Sequence, residues 1–357
     1  MPRIRGEPVI SEPWWTPSRH RDRRAGLLVR NAVKSRLRAH FETAGFVEVE
    51  AAALQVSPGN ETHLHAFTTQ YFSADGRSVT RYLHTSPEFA LKKILAGGER
   101  RIFDFARVFR NRETGARHAS EFIMLEWYRA EEDYTALMTD CADIVRQAAT
   151  AAGTDLLVHG NRSADPYAPP EHLSVAEAFE RYAEVDLLAT LTDTGLPVRD
   201  RLADAAKLAG VRIAIDDTWS DIFSRLMAER IEPNIGNGRM TILYEYPLPE
   251  AALARRKPGA AFVAERFELF ACGVELANAF GELRDAQEQR RRFEADMAEK
   301  ARLYGEHYPL DEAFLAALAY MPEACGCALG FDRLVMLLLG APRIADVQWT
   351  PAEHGDD

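Results

Sequence analysis

The feature that most constrains the fold is a pair of alternating segments, residues 102–110 and 121–130, that enclose a polar loop. Alternation with period two is typical of strands, and a glycine-containing loop between two such segments predicts an antiparallel hairpin. Successive side chains of a strand point to opposite faces of the sheet. One face of the second strand carries Phe122, Met124, Glu126 and Tyr128, and the other carries Ile123, Leu125 and Trp127. The apolar face must pack on helices, which leaves Glu126 and Tyr128 together on the polar face.

The rest of the chain predicts one α+β domain. The sequence has 357 residues and no internal repeat, and this length is enough for one large domain. We predict a mostly antiparallel sheet flanked by helices, spanning residues 23–345, with a helical insert at about residues 134–236. An N-terminal arm, residues 1–22, and a C-terminal tail, residues 346–357, flank this domain.

Composition excludes several classes of protein. The 43 basic and 54 acidic residues give a net charge of −11, the opposite of the basic balance that a protein coating nucleic acid requires. No apolar run approaches the ~20 residues of a membrane span. The N-terminus lacks the apolar segment of a secretory signal, and the four scattered cysteines form no disulfide framework. These features favour a cytoplasmic enzyme.

The hairpin loop carries more positive charge than one carboxylate needs. Its cationic residues are Arg110, Arg112, Arg117 and His118. A single buried arginine beside a carboxylate is usually a structural ion pair. Here the number of cations favours a polyphosphate, because guanidinium groups match phosphate oxygens. The chain has neither a Walker A sequence nor GxGxxG to provide a backbone-amide cradle instead.

A second candidate site lies in AERFELFACGVELANAFGEL, residues 264–283. A turn centred between Ala271 and Cys272 would place Glu268 opposite Glu275, where two carboxylates repel each other. A bridging Mg²⁺ that carries phosphate would turn that repulsion into attraction. The alternative is that each glutamate pairs with an arginine. Further along, Asn278, Phe280 and Glu282 share one face, and this trio suits a small ligand with a cationic end and an apolar stem.

The third candidate is GFDRLVMLLLG, residues 330–340. Gly330 allows close approach to the backbone, and Asp332 is positioned to cap the helix that follows. Arg333 falls in the first turn of that helix, where the helix dipole disfavours a cation. Its presence there predicts a bound anion such as phosphate.

These segments together resemble the catalytic core of class II aminoacyl-tRNA synthetases. FRN…RH…EFIMLEWY (residues 109–128) resembles the second motif of the family, GFDRLVMLLLG the third, and EVEAAAL (residues 48–54) the first, dimer-forming motif. TSPE (residues 85–88), LEWY (residues 125–128) and ELANAFGEL (residues 275–283) are similar to the lysine-specific branch. The resemblance implies ATP and Mg²⁺ as ligands and a homodimeric assembly.

Few residues precede the first motif, so we expect no room for the anticodon-binding barrel of a lysyl-tRNA synthetase. A lysyl-synthetase-like core with EPNIG (residues 232–236) resembles the elongation factor P lysine ligases. This family activates lysine or (R)-β-lysine with ATP as an adenylate, and attaches it to a lysine side chain of elongation factor P. The resemblance therefore implies an AMP-forming ligase with elongation factor P as its protein partner, no tRNA and no membrane.

The resemblance also implies roles for individual residues. Arg110 and Arg333 would be catalytic, and Glu268 and Glu275 would bind Mg²⁺. The amino acid would contact Ser86, Pro87, Glu88, Glu126, Tyr128, Asn278, Phe280 and Glu282. ATP would contact Arg110, Asn111, Arg112, His118, Ala119, Phe122, Glu275, Leu276, Gly330 and Arg333. Cations would thus hold phosphates and carboxylates would hold ammonium groups.

Four positions depart from the family pattern. Arg112 stands where the family carries a glutamate that contacts adenine, with Glu113 one place later; Ala119 replaces an asparagine, Ala52 a proline and Ala277 a glycine. Two alternative functions follow from these departures and from the shared chemistry. One is a lysine-adenylating ligase for tRNA or another acceptor, and the other is a catalytically weakened lysine-binding regulator.

Overall fold

A computed structural model describes residues 12–352 of the chain. The helices are α1 (Pro17–Thr43), α2 (Glu88–Ala96), α3 (Thr135–Ala152), α4 (Val175–Ala183), α5 (Arg199–Leu208), α6 (Trp219–Leu226), α7 (Ala286–Tyr304), α8 (Glu312–Ala317) and α9 (Phe331–Leu339). The strands are β1 (Val47–Glu48), β2 (Leu54–Gln55), β3 (Thr68–Phe72), β4 (Ser78–Leu83), β5 (Arg101–Phe109), β6 (Glu121–Ala130), β7 (Leu157–His159), β8 (Arg162–Asp165), β9 (Glu171–Ser174), β10 (Gly238–Arg239), β11 (Thr241–Tyr244), β12 (Arg266–Ala271), β13 (Val274–Gly281) and β14 (Ala324–Gly330).

The main sheet has the strand order β1-β5-β6-β14-β13-β12-β11-β9. Its outer pairs, β1 with β5 and β9 with β11, are parallel, and the pairs between them are antiparallel. Two small sheets, β10-β8-β7 and β2-β4-β3, accompany it. The predicted α+β fold with a mostly antiparallel sheet is confirmed.

The predicted hairpin is β5 and β6, which pair in antiparallel register with Asp104 opposite Glu126. Leu125 and Trp127 are fully buried in the core beneath the sheet, together with side chains of α1, α3 and α9. Burial of one such large apolar side chain stabilises the fold by about 2–3 kcal/mol. The apolar face therefore fixes the direction of the hairpin, and Glu126 necessarily points to the other face.

Helix α1 begins at Pro17, so residues 17–22 belong to a helix and not to an arm as expected. A proline at the first helical position is favoured because its missing N–H would have no partner there. Leu27, Val33 and Leu37 are buried along one side of the helix. Residues 1–11 of the predicted arm lie outside the described part of the chain.

The predicted insert begins later than expected. Helix α3 packs in the main core beneath the sheet, so it belongs to the main domain and not to the insert. A separate core is formed by α4, α5, α6 and their connections, with Leu173 near its start and Tyr246 near its end. The C-terminal boundary is also different, because Ile344–Val347 forms a short 3₁₀ helix and the side chain of Gln348 donates to Asp332 at 2.8 Å. Residues 353–357 of the predicted tail lie outside the described residues.

Within residues 12–352, none of the helices has the length and apolar character to cross a membrane.

Candidate active site

A cavity of about 250 Å³ opens on the polar face of the main sheet. Its walls come from the loop between β5 and β6, the start of α2, strand β13 and the junction of β14 with α9. Most of the predicted site residues line it, namely Ser86, Glu88, Arg110, His118, Ala119, Phe122, Glu275, Leu276, Asn278, Phe280, Gly330 and Arg333. The predicted residues that do not line it are Pro87, Asn111, Arg112, Glu126, Tyr128, Glu268 and Glu282. Residues of the three candidate segments, the hairpin loop, residues 264–283 and residues 330–340, therefore meet at one cavity.

Arginine side chains form one end of the cavity. The guanidinium of Arg110 lies 5.4 Å from the ring centre of Phe122, and its Nε donates to the carbonyl of Thr85 at 3.3 Å. Arg333 donates from Nε to the carbonyl of Arg117 at 3.2 Å and from Nη1 to that of Glu275 at 3.1 Å. Their carboxylate contacts are long, 3.8 Å from Arg110 to Glu113 and 3.5 Å from Arg333 to Glu275, so both guanidinium groups can still bind an anion.

Two groups differ from the expected cationic loop. Burial, and then Arg333, lower the pKa of His118, so its imidazole is neutral at neutral pH and can donate one N–H. Arg112 has a left-handed backbone (φ 64°) and forms an ion pair with Glu306 outside the cavity. The side chain of Asn111 accepts a hydrogen bond from the N–H of Arg112 at 2.9 Å. The structure therefore does not bring Asn111 and Arg112 to the cavity, and Glu113 lines it instead.

The predicted alignment of Glu268 with Glu275 is wrong by three residues, two from the position of the turn and one from a bulge. The turn is centred between Cys272 and Gly273, and an irregularity at Leu269/Phe270 places Asn278 opposite Glu268. Such a bulge sets two residues of one strand against one of the other. Glu268 accepts a hydrogen bond from Arg266 at 2.6 Å, and Glu275 lies 3.5 Å from Arg333. The alternative interpretation, in which each glutamate pairs with an arginine, is the arrangement observed.

Glu268 and Glu275 still influence each other. Burial raises the pKa of Glu268 to about 7; the nearby Arg266 opposes this rise and Glu275 adds to it. Within the described residues, no group of three or more His, Cys, Asp or Glu side chains is arranged to hold a metal ion. The two glutamates thus form an acidic pair whose charge is partly compensated by Arg266 and Arg333.

The other end of the cavity leads to buried carboxylates. Glu126 is 2% exposed and accepts hydrogen bonds from the hydroxyls of Tyr128 and Ser86, both at 2.7 Å. Burial, and then the charge of Glu88, raise the pKa of Glu126 to about 8. An approaching ammonium group favours the ionised form. This end of the cavity can therefore bind a cation and release a proton as it does so.

Lys92 is a functional residue that the sequence reasoning missed. Its ammonium is fully buried, 2.5 Å from the carboxylate of Glu282 and in contact with that of Glu88. Burial alone would lower the pKa of Lys92, but Glu282 and Glu88 together raise it above its usual value. The signal was present, because Lys92 follows Glu88 by four residues on a predicted helix. Lys92 fixes two of the predicted substrate carboxylates relative to each other.

Gly326 of β14 makes room for this end of the cavity. It lies between Tyr128 and Phe280 in the sheet. A Cβ atom there would be 2.2 Å from Cε1 of Tyr128 and 2.6 Å from Oε1 of Glu282. Only glycine lets both side chains occupy their positions above the sheet.

Comparison with known proteins agrees with this arrangement. Residues 12–354 match the sequence model of the tRNA synthetases class II (D, K and N). The chain belongs to this class II synthetase family. Among curated relatives, the elongation factor P–(R)-β-lysine ligase of Haemophilus influenzae is 37% identical over 90% of this chain and 93% of its own length. The Haemophilus ducreyi ligase is 38% identical over 90% and 92%, and that of Salmonella arizonae is 37% identical over 90% and 93%.

The resemblance drawn from the motifs is thereby confirmed. The segments that resemble the second and third motifs lie on the antiparallel hairpin β5–β6 and on strand β14 followed by helix α9. The relatives are named as ligases, and this chain is an ATP-dependent ligase of the same type.

Proposed function

We propose that this chain activates lysine or (R)-β-lysine with ATP to form an aminoacyl-adenylate, and transfers the aminoacyl group to a lysine side chain of elongation factor P. The observation that carries the proposal is the polarity of the cavity. Its wall carries the guanidinium groups of Arg110 and Arg333 and the carboxylate of Glu88, and Ser86 on the same wall donates to the buried carboxylate of Glu126. This combination of charges matches a substrate that carries both a carboxylate and ammonium groups.

In the activation step, Arg110 would contact both the substrate carboxylate and the α-phosphate. A fixed guanidinium stabilises the charge that develops on phosphorus as the carboxylate attacks. Arg333 and the N–H of His118 would hold the outer phosphates. The ring of Phe122, which packs beneath Arg110, together with Leu276 and Gly330, would lie against the nucleotide.

At the other end, Ser86 and Glu88 would hold the amine nearest the carboxylate, and Asn278 and Phe280 would line the path of the aliphatic stem. Glu126 and Tyr128 would receive the terminal ammonium. Glu126 loses its proton as that ammonium arrives, since a buried carboxyl ionises more readily beside a cation. Glu282 contributes through Lys92, which already neutralises part of its charge.

The residues near the phosphate end fit Mg²⁺ as a companion of ATP. Glu275 borders the cavity, its side chain is 41% exposed, and its arginine contact is long at 3.5 Å. The negative charge of Glu275 helps to raise the pKa of Glu268. A divalent cation would therefore relieve a repulsion between the two carboxylates that is already present. Mg²⁺ would neutralise phosphate charge when bound. A Glu275→Gln variant should then require a higher Mg²⁺ concentration for half-maximal activity.

Lysine-dependent exchange of pyrophosphate into ATP tests the activation step, and the mass of elongation factor P after incubation with ATP and each lysine isomer tests the transfer. We expect exchange, and a mass gain of one lysyl group. Arg110→Ala should abolish exchange, while Arg77→Ala, an exposed arginine on the β3–β4 turn, serves as the matched control. Transfer to tRNA in place of the protein would favour the alternative ligase. Absence of exchange with both isomers would favour a lysine-binding regulator.

The homodimer also stays a prediction, as do the independence from tRNA and the cytoplasmic location. Val47, which directly precedes the segment that resembles the first motif, and Leu54 at its end are 49% and 43% exposed. Exposed apolar side chains suit a partner surface. Sedimentation equilibrium that gives a monomer mass at micromolar concentration would argue against the dimer.

A further inference from the structure

Glu61 is an acidic residue on the cavity wall that the proposed roles do not use. Within the described residues, the carboxylates that line the cavity are Glu61, Glu88, Glu113 and Glu275. The last three each contact a cation, which is Lys92, Arg110 or Arg333. No hydrogen bond or ion pair within residues 12–352 reaches the carboxylate of Glu61. A partly buried carboxylate without a partner is costly, so its presence calls for a function.

The backbone that carries Glu61 is held in place by helix α7. The buried ammonium of Lys300 donates to the carbonyl oxygens of Thr62 at 2.9 Å and Leu64 at 2.6 Å. The hydroxyl of Thr62 donates to Asp296 at 3.0 Å. These hydrogen bonds from one buried ammonium hold the backbone of residues 62–64 against α7. Glu61 is therefore presented to the cavity at a fixed position.

Glu61 lies on the same cavity wall as Ser86, Glu88 and Arg110. Burial raises the pKa of Glu61 to about 7; Glu88 and Asp296 add to the rise, and Arg110 and Lys300 oppose it. In the proposed function, on which this inference rests, Arg110 holds the carboxyl group that becomes the adenylate. Glu88 holds the amine next to that carboxyl group. A carboxylate that lines the cavity together with both side chains can face an acceptor nitrogen that approaches the activated carbon.

We infer that Glu61 is the general base of the transfer step and takes a proton from the acceptor lysine. The lysine ammonium gives one proton to the Glu61 carboxylate, and the neutral nitrogen attacks the carbonyl carbon of the adenylate. The new C–N bond forms and the bond from carbon to the phosphate oxygen breaks, its electron pair leaving with AMP. A second proton passes from nitrogen to the departing phosphate. The amide, protonated Glu61 and AMP are the products, and Glu61 then returns its proton to water.

The chemistry of the two half-reactions explains why such a base is needed only once. Activation uses a substrate carboxylate that is already ionised, and it needs no base. The acceptor amine is protonated at neutral pH, since a lysine side chain ionises near pH ~10.4. A base that titrates near neutrality can accept a proton and release it in each cycle, and such bases typically contribute about 100- to 10,000-fold to rate.

The test separates the two half-reactions in the variant Glu61→Gln. Enzyme, ATP and α-lysine are mixed to form the adenylate, elongation factor P is added, and the rate of mass gain is compared with the rate of pyrophosphate exchange. We expect the ratio of transfer to exchange to fall about 100-fold. The acid limb of the wild-type pH profile for transfer, near pH 7, should disappear in the variant. Glu61→Asp, which keeps a displaced base, should be intermediate, and Glu180→Gln on the surface of α4 is the matched control.

Hydroxylamine as the acceptor distinguishes a base from a structural residue. It is neutral at neutral pH, so Glu61→Gln should form lysyl hydroxamate as fast as the wild type. Equal slowing with hydroxylamine and with elongation factor P would overturn the inference. A raised KM for lysine in exchange, with the transfer ratio unchanged, would also overturn it and assign Glu61 to the substrate amine. A wild-type enzyme that exchanges with neither lysine isomer would refute the proposed function itself.

Discussion

Replacing Glu126 by glutamine should stabilise the protein while removing its activity. Burial raises the pKa of Glu126 to about 8, whereas a glutamate in an unfolded chain ionises near pH ~4.3. The fold therefore prefers the protonated form, and ionisation lowers the free energy of unfolding. This cost is absent below about pH 4, grows between about pH 4.3 and 8, and is constant at higher pH. Glutamine cannot ionise, so it removes the cost.

The structure sets the size of the effect. Each pKa unit corresponds to about 1.4 kcal/mol, so the full difference gives an upper limit of about 5 kcal/mol above pH 8. Residual structure in the unfolded chain reduces such a difference, so we expect about 2–4 kcal/mol for the substitution. The amide preserves the local contacts, because it can accept from the hydroxyl of Tyr128 and donate to Oγ of Ser86.

Urea unfolding of both proteins measures the effect. Near pH 5 the variant should be more stable by only about 1 kcal/mol, and near pH 8.5 by about 2–4 kcal/mol. Glu180→Gln, an exposed substitution on α4, should show no such pH dependence. Lysine-dependent exchange should be lost in Glu126→Gln. A variant that is no more stable than the wild type near pH 8.5, or a difference that is the same at both pH values, would refute the reasoning.

Three further substitutions test other parts of the site. Lys92→Met leaves two buried carboxylates without their cation and should lower the free energy of urea unfolding by about 3–5 kcal/mol; an unchanged midpoint contradicts this. Gly326→Ala places a methyl group 2.2 Å from Cε1 of Tyr128. The KM for lysine should therefore rise several-fold while the KM for ATP stays constant. Parallel changes in both KM values would argue against this placement of the lysine site. Arg112→Ala removes only an exposed ion pair with Glu306, which is worth about 0–1 kcal/mol of stability, and a large rise in its KM for ATP would return Arg112 to the nucleotide site.

Alternation along strands predicted the fold and much of the site. Because the period of a strand is two, the apolar side of β6 had to face helices, and Glu126 and Tyr128 had to face the ligand. The same reasoning correctly placed Asn278 and Phe280 on the cavity side of β13. The excess of charge in the hairpin loop, and for Arg333 its place in the first turn of a helix, predicted that both arginines face an anion, and both line the cavity.

Properties that depend on backbone detail could not be predicted. The turn between β12 and β13 is centred one residue later than predicted, and a bulge without a sequence signal of its own shifts the register by one more residue, so the alignment of Glu268 was wrong. The left-handed backbone of Arg112 turns its side chain away from the cavity, although non-glycine residues seldom adopt that conformation. Helix α3 has an amphipathic pattern that predicts a helix but not which core it joins. Partners such as Lys92 and Glu282 meet only through tertiary packing.

The bulge between β12 and β13 also restricts how the chain can change in length. Removing one residue from the hairpin while keeping its pairing would turn Asn278, Phe280 and Glu282 towards the helices beneath the sheet, because a one-residue slip exchanges the two faces. Removing two residues would leave each side chain on its present face. Deletion of one residue from this hairpin should therefore abolish activity, whereas deletion of two residues should be tolerated. The amino-acid site therefore depends on the length of this hairpin as well as on the identity of its residues.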